Sequence, residues 1–397
     1  MTTTPAVAES PGATADPRGL YRLSCPIKNY DWGSVDALPR LLGRPADGRP
    51  QAEMWVGAHP SAPSIATDQR GRAVPLDRLL ESDPVLLHDG HPWAWSRLPF
   101  LLKVLAPERP LSLQVHPDSA RAAARFAEQR PGYQDPWHKP EMIYALEPFE
   151  ALCGFTRADR AADLLDCLGV PALAGIIDRL TGRDGIRQAT HRLLSMDSQQ
   201  AGDLVAAVVR AARSRPEPAY ATAVHLAGFH PTDPGVIVSM LLNRVTLAPG
   251  EAMFVPPNTV HTYIRGVGIE VMATSDNVLR AGLTGKRIDV AELLDTTDYS
   301  PAPPRLVAPR AAGRHEQVFA PQVDEFRLSV IRCESRTECS WDDRRPRTVL
   351  CVSGAFSLTV DGVTVALAQG EAGFVGAGAR AVHVAGAGTL VGAMPAG

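Results

Sequence analysis

The chain has 397 residues, of which 45% are hydrophobic and 21% charged, so it can bury more than one core and is long enough for two or three domains. A formal net charge of -3 argues against a nucleic-acid partner. No uninterrupted apolar run reaches membrane-spanning length, the N-terminal residues lack the basic and apolar regions of a secretory signal, and the six cysteines form no CxxC pair; a cytoplasmic protein with reduced thiols is expected.

Residues 1–19 are rich in Thr, Ala, Pro and Ser and read as a disordered tail, with folding expected from Leu20. Residues 20–155 alternate short β-rich runs, such as 100–105, with Pro/Gly turns. Within them Leu111-Ser112-Leu113-Gln114-Val115-His116-Pro117 alternates as a strand does, which puts Gln114 and His116 on one face. A helix is expected over 118–129, capped by Asp118. Twenty-five positions past His116, the run Trp137-His138-Lys139-Pro140-Glu141 ends on a carboxylate.

The pattern changes after Phe155. Leu, Ile and Val recur at three-to-four spacing, as in 161–168 and 203–209, so residues 156–235 read as a helical insertion. Strands are expected again from 236–242, and a Pro/Asn turn at 256–258 leads into a strand carrying His261 toward a barrel mouth. Fourteen residues later begins Ser275-Asp276-Asn277-Val278-Leu279-Arg280-Ala281-Gly282-Leu283-Thr284. The Pro-rich 300–304 segment is a reasonable linker between a module ending near 310 and a last one over 311–397.

Residues 247–255 (LAPGEAMFV) recur as 367–375 (LAQGEAGFV), identical at seven of nine positions. Such a strand-turn-strand unit with a Gly-Glu turn resembles the hairpin of cupin jelly rolls and implies two β-barrel modules of common descent. In that register His261 falls against Ala381, so the second module lacks the metal position and His383 is ordinary. The expected fold is mainly β with an α insertion: two cupin-type jelly-roll β-barrel modules plus a helical domain.

Two imidazoles, a carboxylate and an amide oxygen suit one divalent ion, and ligand type alone leaves Zn²⁺, Fe²⁺, Co²⁺ and Mn²⁺ open. In their local settings, Gln114, His116, Glu141 and His261 resemble the zinc site of the type I phosphomannose isomerases, and the segment from Ser275 to Thr284 resembles that family's best-known signature. Asn29 to Ser34 and Glu53 to Ser61 look like its N-terminal signatures, with Trp32 and Trp55 read as core and His59 as part of a structural turn near the cleft. The resemblance covers about residues 20–310.

It implies one Zn²⁺ per chain and a mannose-6-phosphate isomerase reaction through an enediol, on a phosphorylated hexose, by a monomer. It also implies roles: His138 and Lys139 for proton transfer, Asp276 for ring opening or for orienting a base, Tyr263 as a donor to a sugar oxygen, and Arg280 to favour the enediolate. Ser112, Lys103 and Lys286 would hold phosphate, with Lys103 alternatively nearer the metal. Trp137 stands where the family usually has Asn, and Gly285 where it often has Pro. The other readings are a different metal-dependent cupin enzyme, such as a dioxygenase or sugar epimerase, and a non-catalytic sugar-binding protein.

Overall fold

A computed structural model describes residues 19–88, 95–286 and 288–396. The tail expected at the N-terminus lies outside these residues up to position 18, and the first strand begins at Leu20. The architecture is mainly β: antiparallel sheets of seven, five and ten strands, with a cluster of helices inserted between two strands of the five-stranded sheet.

The seven-stranded sheet runs, edge to edge, Arg305–Leu306, Ala252–Val255, Glu141–Ala145, Gly268–Ala273, Phe100–Leu105, Glu53–Val56 and Ile27–Lys28. The five-stranded sheet runs Leu242–Leu247, Phe149–Phe155, His261–Arg265, Leu113–Val115 and Leu279–Gly282. Alternate residues of both sheets meet in one apolar layer, Ile143, Ala145 and Val255 from the first and Ala151, Cys153 and Leu247 from the second. This is the double-sheet arrangement of a cupin module.

The ten-stranded sheet contains the path Ala372–Val375, Arg347–Val360, Val382–Met394, Arg327–Trp341, Glu316–Phe319 and Arg310–Ala311. That is the order of the last six strands of the seven-stranded sheet, so a likeness visible as nine residues in sequence extends over six strands in space. The turns match in detail. Gly250 and Gly370 take φ of 96° and 82°, where a side chain is strained, and the Glu251 and Glu371 carboxylates each accept the N–H of Ala248 or Ala368 at 2.8 Å. The recurring Gly-Glu pair is the signature of that hydrogen-bonded turn.

Sheets and chain segments do not divide at the same points. The strand Leu20–Ser24 pairs with Ala372–Val375, and Ile65–Thr67 and Ala73–Pro75 extend the same sheet. Met54, Val104, Tyr144 and Phe254 from one sheet pack with Leu328, Leu350, Phe374 and Val391 from the other, joining the two through a shared core.

The expected helix at 118–129 forms as Ser119–Ala127, and the Asp118 carboxylate caps it by accepting the Arg121 N–H at 2.9 Å. The insertion is helical as expected, from Ala158–Asp166 to Pro218–Phe229. Its Leu165, Leu193, Val208 and Leu226 pack in one core with Leu113, Val115, Leu279 and Ala281, against the strands that carry Gln114 and Arg280. Removing one such leucine side chain costs about 2–5 kcal/mol, so the helices brace the sheet that aims those two residues. Of residues 236–242, expected as strand, all but the last are instead helical (Gly235–Val238, then a 3-10 turn Ser239–Leu241), and the strand starts at Leu242. A short apolar run that is buried all round has no period to distinguish the two conformations.

Candidate metal centre and catalytic cleft

The five-stranded sheet sets three expected site residues in a row. His261 pairs directly with Gln114, and Gln114 with Arg280, so their side chains leave one face at one level. His116 follows two residues after Gln114, and Glu141 opens a strand of the facing sheet. A ligand atom from each of His116, Glu141 and His261 lies within 4.8 Å of the others, and all three residues are buried.

Hydrogen bonding fixes how these groups present themselves. His116 Nδ1 lies 2.6 Å from the Asn277 carbonyl and His261 Nδ1 lies 3.0 Å from the Thr259 carbonyl. A carbonyl only accepts, so each Nδ1 carries the proton and each Nε2 turns a lone pair inward. There they meet Glu141: His116 Nε2 is 3.1 Å from Oε1 and His261 Nε2 is 3.3 Å from Oε2. Lone pairs facing a carboxylate in a buried space need a cation between them. His116 Nε2 and Glu141 Oε2 are accordingly buried without a hydrogen-bond partner.

Gln114 completes the cluster, its amide Nε2 lying 3.4 Å from His261 Nε2; a half-turn of the amide presents oxygen to the same point. Burial lowers the His116 pKa to about 4, helped by Lys139, so this imidazole is neutral near pH 7. Burial opposes ionisation of Glu141, yet the Lys139 ammonium beside it holds its carboxyl well below the usual range. Neutral imidazoles, an ionised carboxylate and an amide fit a divalent cation.

A cavity of about 790 Å³ opens beside the cluster, lined by Gln114, Glu141, Lys139, Arg280, Asp276, Ser112 and Lys286 among others. Lys139 Nζ stands 2.9 Å from Glu141 Oε1. Asp276 accepts from His59 Nε2 at 3.4 Å, and this hydrogen bond lowers its pKa. His59 thus serves the cleft from behind, its Nδ1 on Ser61 Oγ at 2.9 Å, in keeping with its reading as a structural turn. Lys286 is exposed at the rim, its N–H bonded to Thr284 Oγ1 at 3.1 Å.

Three placements depart from expectation. His138 does not line this cavity; its Nε2 lies 2.6 Å from Glu325 Oε1, a residue of the C-terminal module. Tyr263 is fully buried below the cleft, its ring edge-on to Phe149, and so is not poised to meet a sugar. Lys103 sits in the floor rather than at an outer phosphate site, paired with Glu270 at 3.1 Å. Burial works against the Lys103 ammonium, but Glu270, Glu53 and Glu141 outweigh it and hold its pKa above the usual lysine value. The alternative that set Lys103 nearer the metal is the one this placement matches.

Glu270 and Glu53 are cleft residues that the motifs did not single out. Glu270 lies in a strand buried along its whole length, and a carboxylate in a continuous apolar run was the available signal. Glu53 accepts from the Trp55 indole at 2.5 Å. At the Trp137 departure the backbone carries the local bonding: its N–H donates to Asp135, and its carbonyl accepts from Asn277 Nδ2 at 2.8 Å. The indole is exposed, under the Arg97 guanidinium at 4.8 Å from the ring centre.

Comparison with known proteins bears on all of this. Residues 20–158 match the model of the phosphomannose isomerase type I catalytic domain. The mannose-6-phosphate isomerase of Salmonella typhimurium is 34% identical over 386 residues, covering 94% of this chain and 98% of that protein. Mannose-6-phosphate isomerase 1 of Arabidopsis thaliana is 31% identical, covering 92% and 91%. Among solved structures, a zinc-bound holo mannose 6-phosphate isomerase superposes with a TM-score of 0.88 at 34% identity, over 95% of this chain and 99% of that one. A likeness that runs nearly end to end in both sequence and fold, together with the convergence of His116, Glu141 and His261, leaves one conclusion: the chain belongs to the type I phosphomannose isomerases.

Proposed function

We propose that this protein is a zinc-dependent mannose-6-phosphate isomerase, interconverting mannose 6-phosphate and fructose 6-phosphate through an enediol. The observation that carries the proposal is the convergence of the inward lone pairs of His116, His261 and Glu141 beside a cleft lined by Lys139, Arg280 and Asp276. Gln114, His116, Glu141 and His261 would hold one Zn²⁺ per chain. When bound, the ion supplies a Lewis acid that draws charge from a sugar oxygen.

The remaining work falls to side chains. Isomerisation moves a proton between adjacent carbons, which needs a group that takes and returns it. Of the two residues expected in that role, Lys139 faces the cleft. Arg280 offers a fixed positive fork, suited to the oxygen charge of an enediolate. Asp276, held by His59, is positioned to assist ring opening. Ser112 and Lys286 take the phosphate, with the exposed Arg109 on the same cavity wall adding positive charge. Lys103 and Glu270 form a buried ion pair in the floor and shape it without touching phosphate.

All these groups come from one chain, and we read the enzyme as a cytoplasmic monomer; no helix among the described residues is long and apolar enough to cross a membrane. The test is a coupled assay on purified protein, with metal content measured on the same sample. Turnover of mannose 6-phosphate is expected, and its absence in fully metallated protein would refute the proposal.

A further inference from the structure

The two modules share their strand order, so each wall position of the catalytic cleft has a counterpart in the C-terminal sheet. Counting the pairings outward from Val255 and Val375, which the repeat aligns, sets Glu141 against Arg347, Glu53 against Glu316, Trp55 against Val318 and Lys103 against Ser329. Glu141, Glu53 and Trp55 line the catalytic cleft. Arg347, Glu316 and Val318 line a separate cavity of about 340 Å³. The scaffold therefore repeats a pocket as well as a sheet.

Its charge is inverted where the metal ligand would be. Arg347 is 2% exposed, lies 4.3 Å from the Trp341 ring centre and pairs with Asp343. Asp343 also receives Arg327 at 2.8 Å and Arg345 at 3.6 Å, so three guanidiniums gather on one carboxylate. Of the other acids on this cavity, the half-buried Glu316 is occupied by Ser329 Oγ and by the Trp341 indole at 3.3 Å, and Asp342 is exposed. Arg327 Nε is buried with no hydrogen-bond partner among the described residues. The unpartnered Nε, on a guanidinium whose Nη2 is already held by Asp343, leaves a donor open to a further acceptor beside Arg347, and the planar fork matches phosphate oxygens. Trp341, Val318 and Met394 on the same wall provide an apolar face for a carbon skeleton.

We infer that the C-terminal module holds a second small-molecule site, separate from the metal-bearing cleft, that binds a phosphate monoester through Arg327 and Arg347, with Arg310 at its mouth. The degenerate copy of the cleft has exchanged a cation site for an anion site.

The test is isothermal titration of full-length, metal-loaded protein with sorbitol 6-phosphate, a phosphate monoester on an open hydroxylated chain. Two sites per chain are expected in the wild type. Arg327→Gln weakens one of them by roughly tenfold or more and leaves the other, with kcat/KM for mannose 6-phosphate unchanged. Arg310→Glu does the same from an exposed strand, where the replacement does not threaten folding. A single site in the wild type that neither Arg327→Gln nor Arg310→Glu weakens overturns the inference, as do two undiminished sites in both variants. So does a second site that Arg280→Ala abolishes and Arg327→Gln spares, because it then belongs to the cleft. Binding is read directly, so the outcome stands whether or not the cleft turns over a sugar.

Discussion

The catalytic module and the C-terminal module follow the same six-strand path, yet among the described residues only the first gathers three side chains that could ligate one metal ion. At matching positions the first has Glu141, Lys103 and Glu270, and the second has Arg347, Ser329 and Gly392, while the 120-residue sequence repeat sets His261 against Ala381. Backbone order, the Gly-Glu turn and the apolar layer are common to both. The difference teaches that the scaffold tolerates opposite electrostatics in its mouth, provided each buried charge finds a partner.

The largest test of that contrast is His261→Ala. It removes a ligand, and should abolish metal retention and lower kcat/KM by more than the roughly 10–100-fold typical of outer-shell losses. The converse change, Ala381→His, should gain no metal by elemental analysis, because Arg347 occupies the carboxylate's place and Ala381 sits at a φ of 49°. Metal bound by Ala381→His would break the comparison.

Next comes Arg280→Ala. The protein should keep its metal and lose about 10²–10³ in kcat, measured by steady-state kinetics beside metal analysis. Loss of metal as well would make Arg280 part of the ligand scaffold.

A carboxylate gathering three arginines occurs in both halves of the chain, and the two differ in burial. Glu292 is 3% exposed and receives Arg121, Arg125, Arg130 and the Tyr133 hydroxyl. The Asp343 side chain is 34% exposed. Glu292→Gln should therefore cost roughly 2–3 kcal/mol in urea unfolding, and Asp343→Asn less.

Burial resists ionisation of Glu292, but Tyr133, Arg130 and Arg121 bring its pKa from 4.5 down to about 2. A depressed acid adds stability that is complete above 4.5 and lost as pH falls through that window toward 2. Glu292→Gln should remove that slope. An unchanged slope would place the acid sensitivity elsewhere.

The smallest effect is expected at the seam between the modules. His138→Asn and Glu325→Gln should each reduce kcat by less than about tenfold, and by similar amounts, because the pair joins modules outside the cleft. A much larger loss confined to His138→Asn would restore it to the chemistry.

Much of the site was legible in the sequence because its signals are local. Strand alternation put Gln114 and His116 on one face, a carboxylate closed the His-Lys-Pro run, and a repeated turn announced the second module. What escaped depends on distance. The Lys103–Glu270 pair is set by the register of strands 167 positions apart, which no local period encodes. His138 lies in an irregular segment, where side-chain direction follows from packing against Glu325 rather than from spacing. The joining of Leu20–Ser24 to Ala372–Val375 is likewise a tertiary choice: a strand's pattern declares a buried face but not its partner.

The most direct measurement is a zinc titration of metal-stripped protein, with the coupled mannose 6-phosphate assay run at each step. Activity should rise from background in proportion to bound zinc and saturate at one ion per chain. Full turnover by the stripped protein, or a saturated metal site that leaves mannose 6-phosphate untouched, would contradict the account.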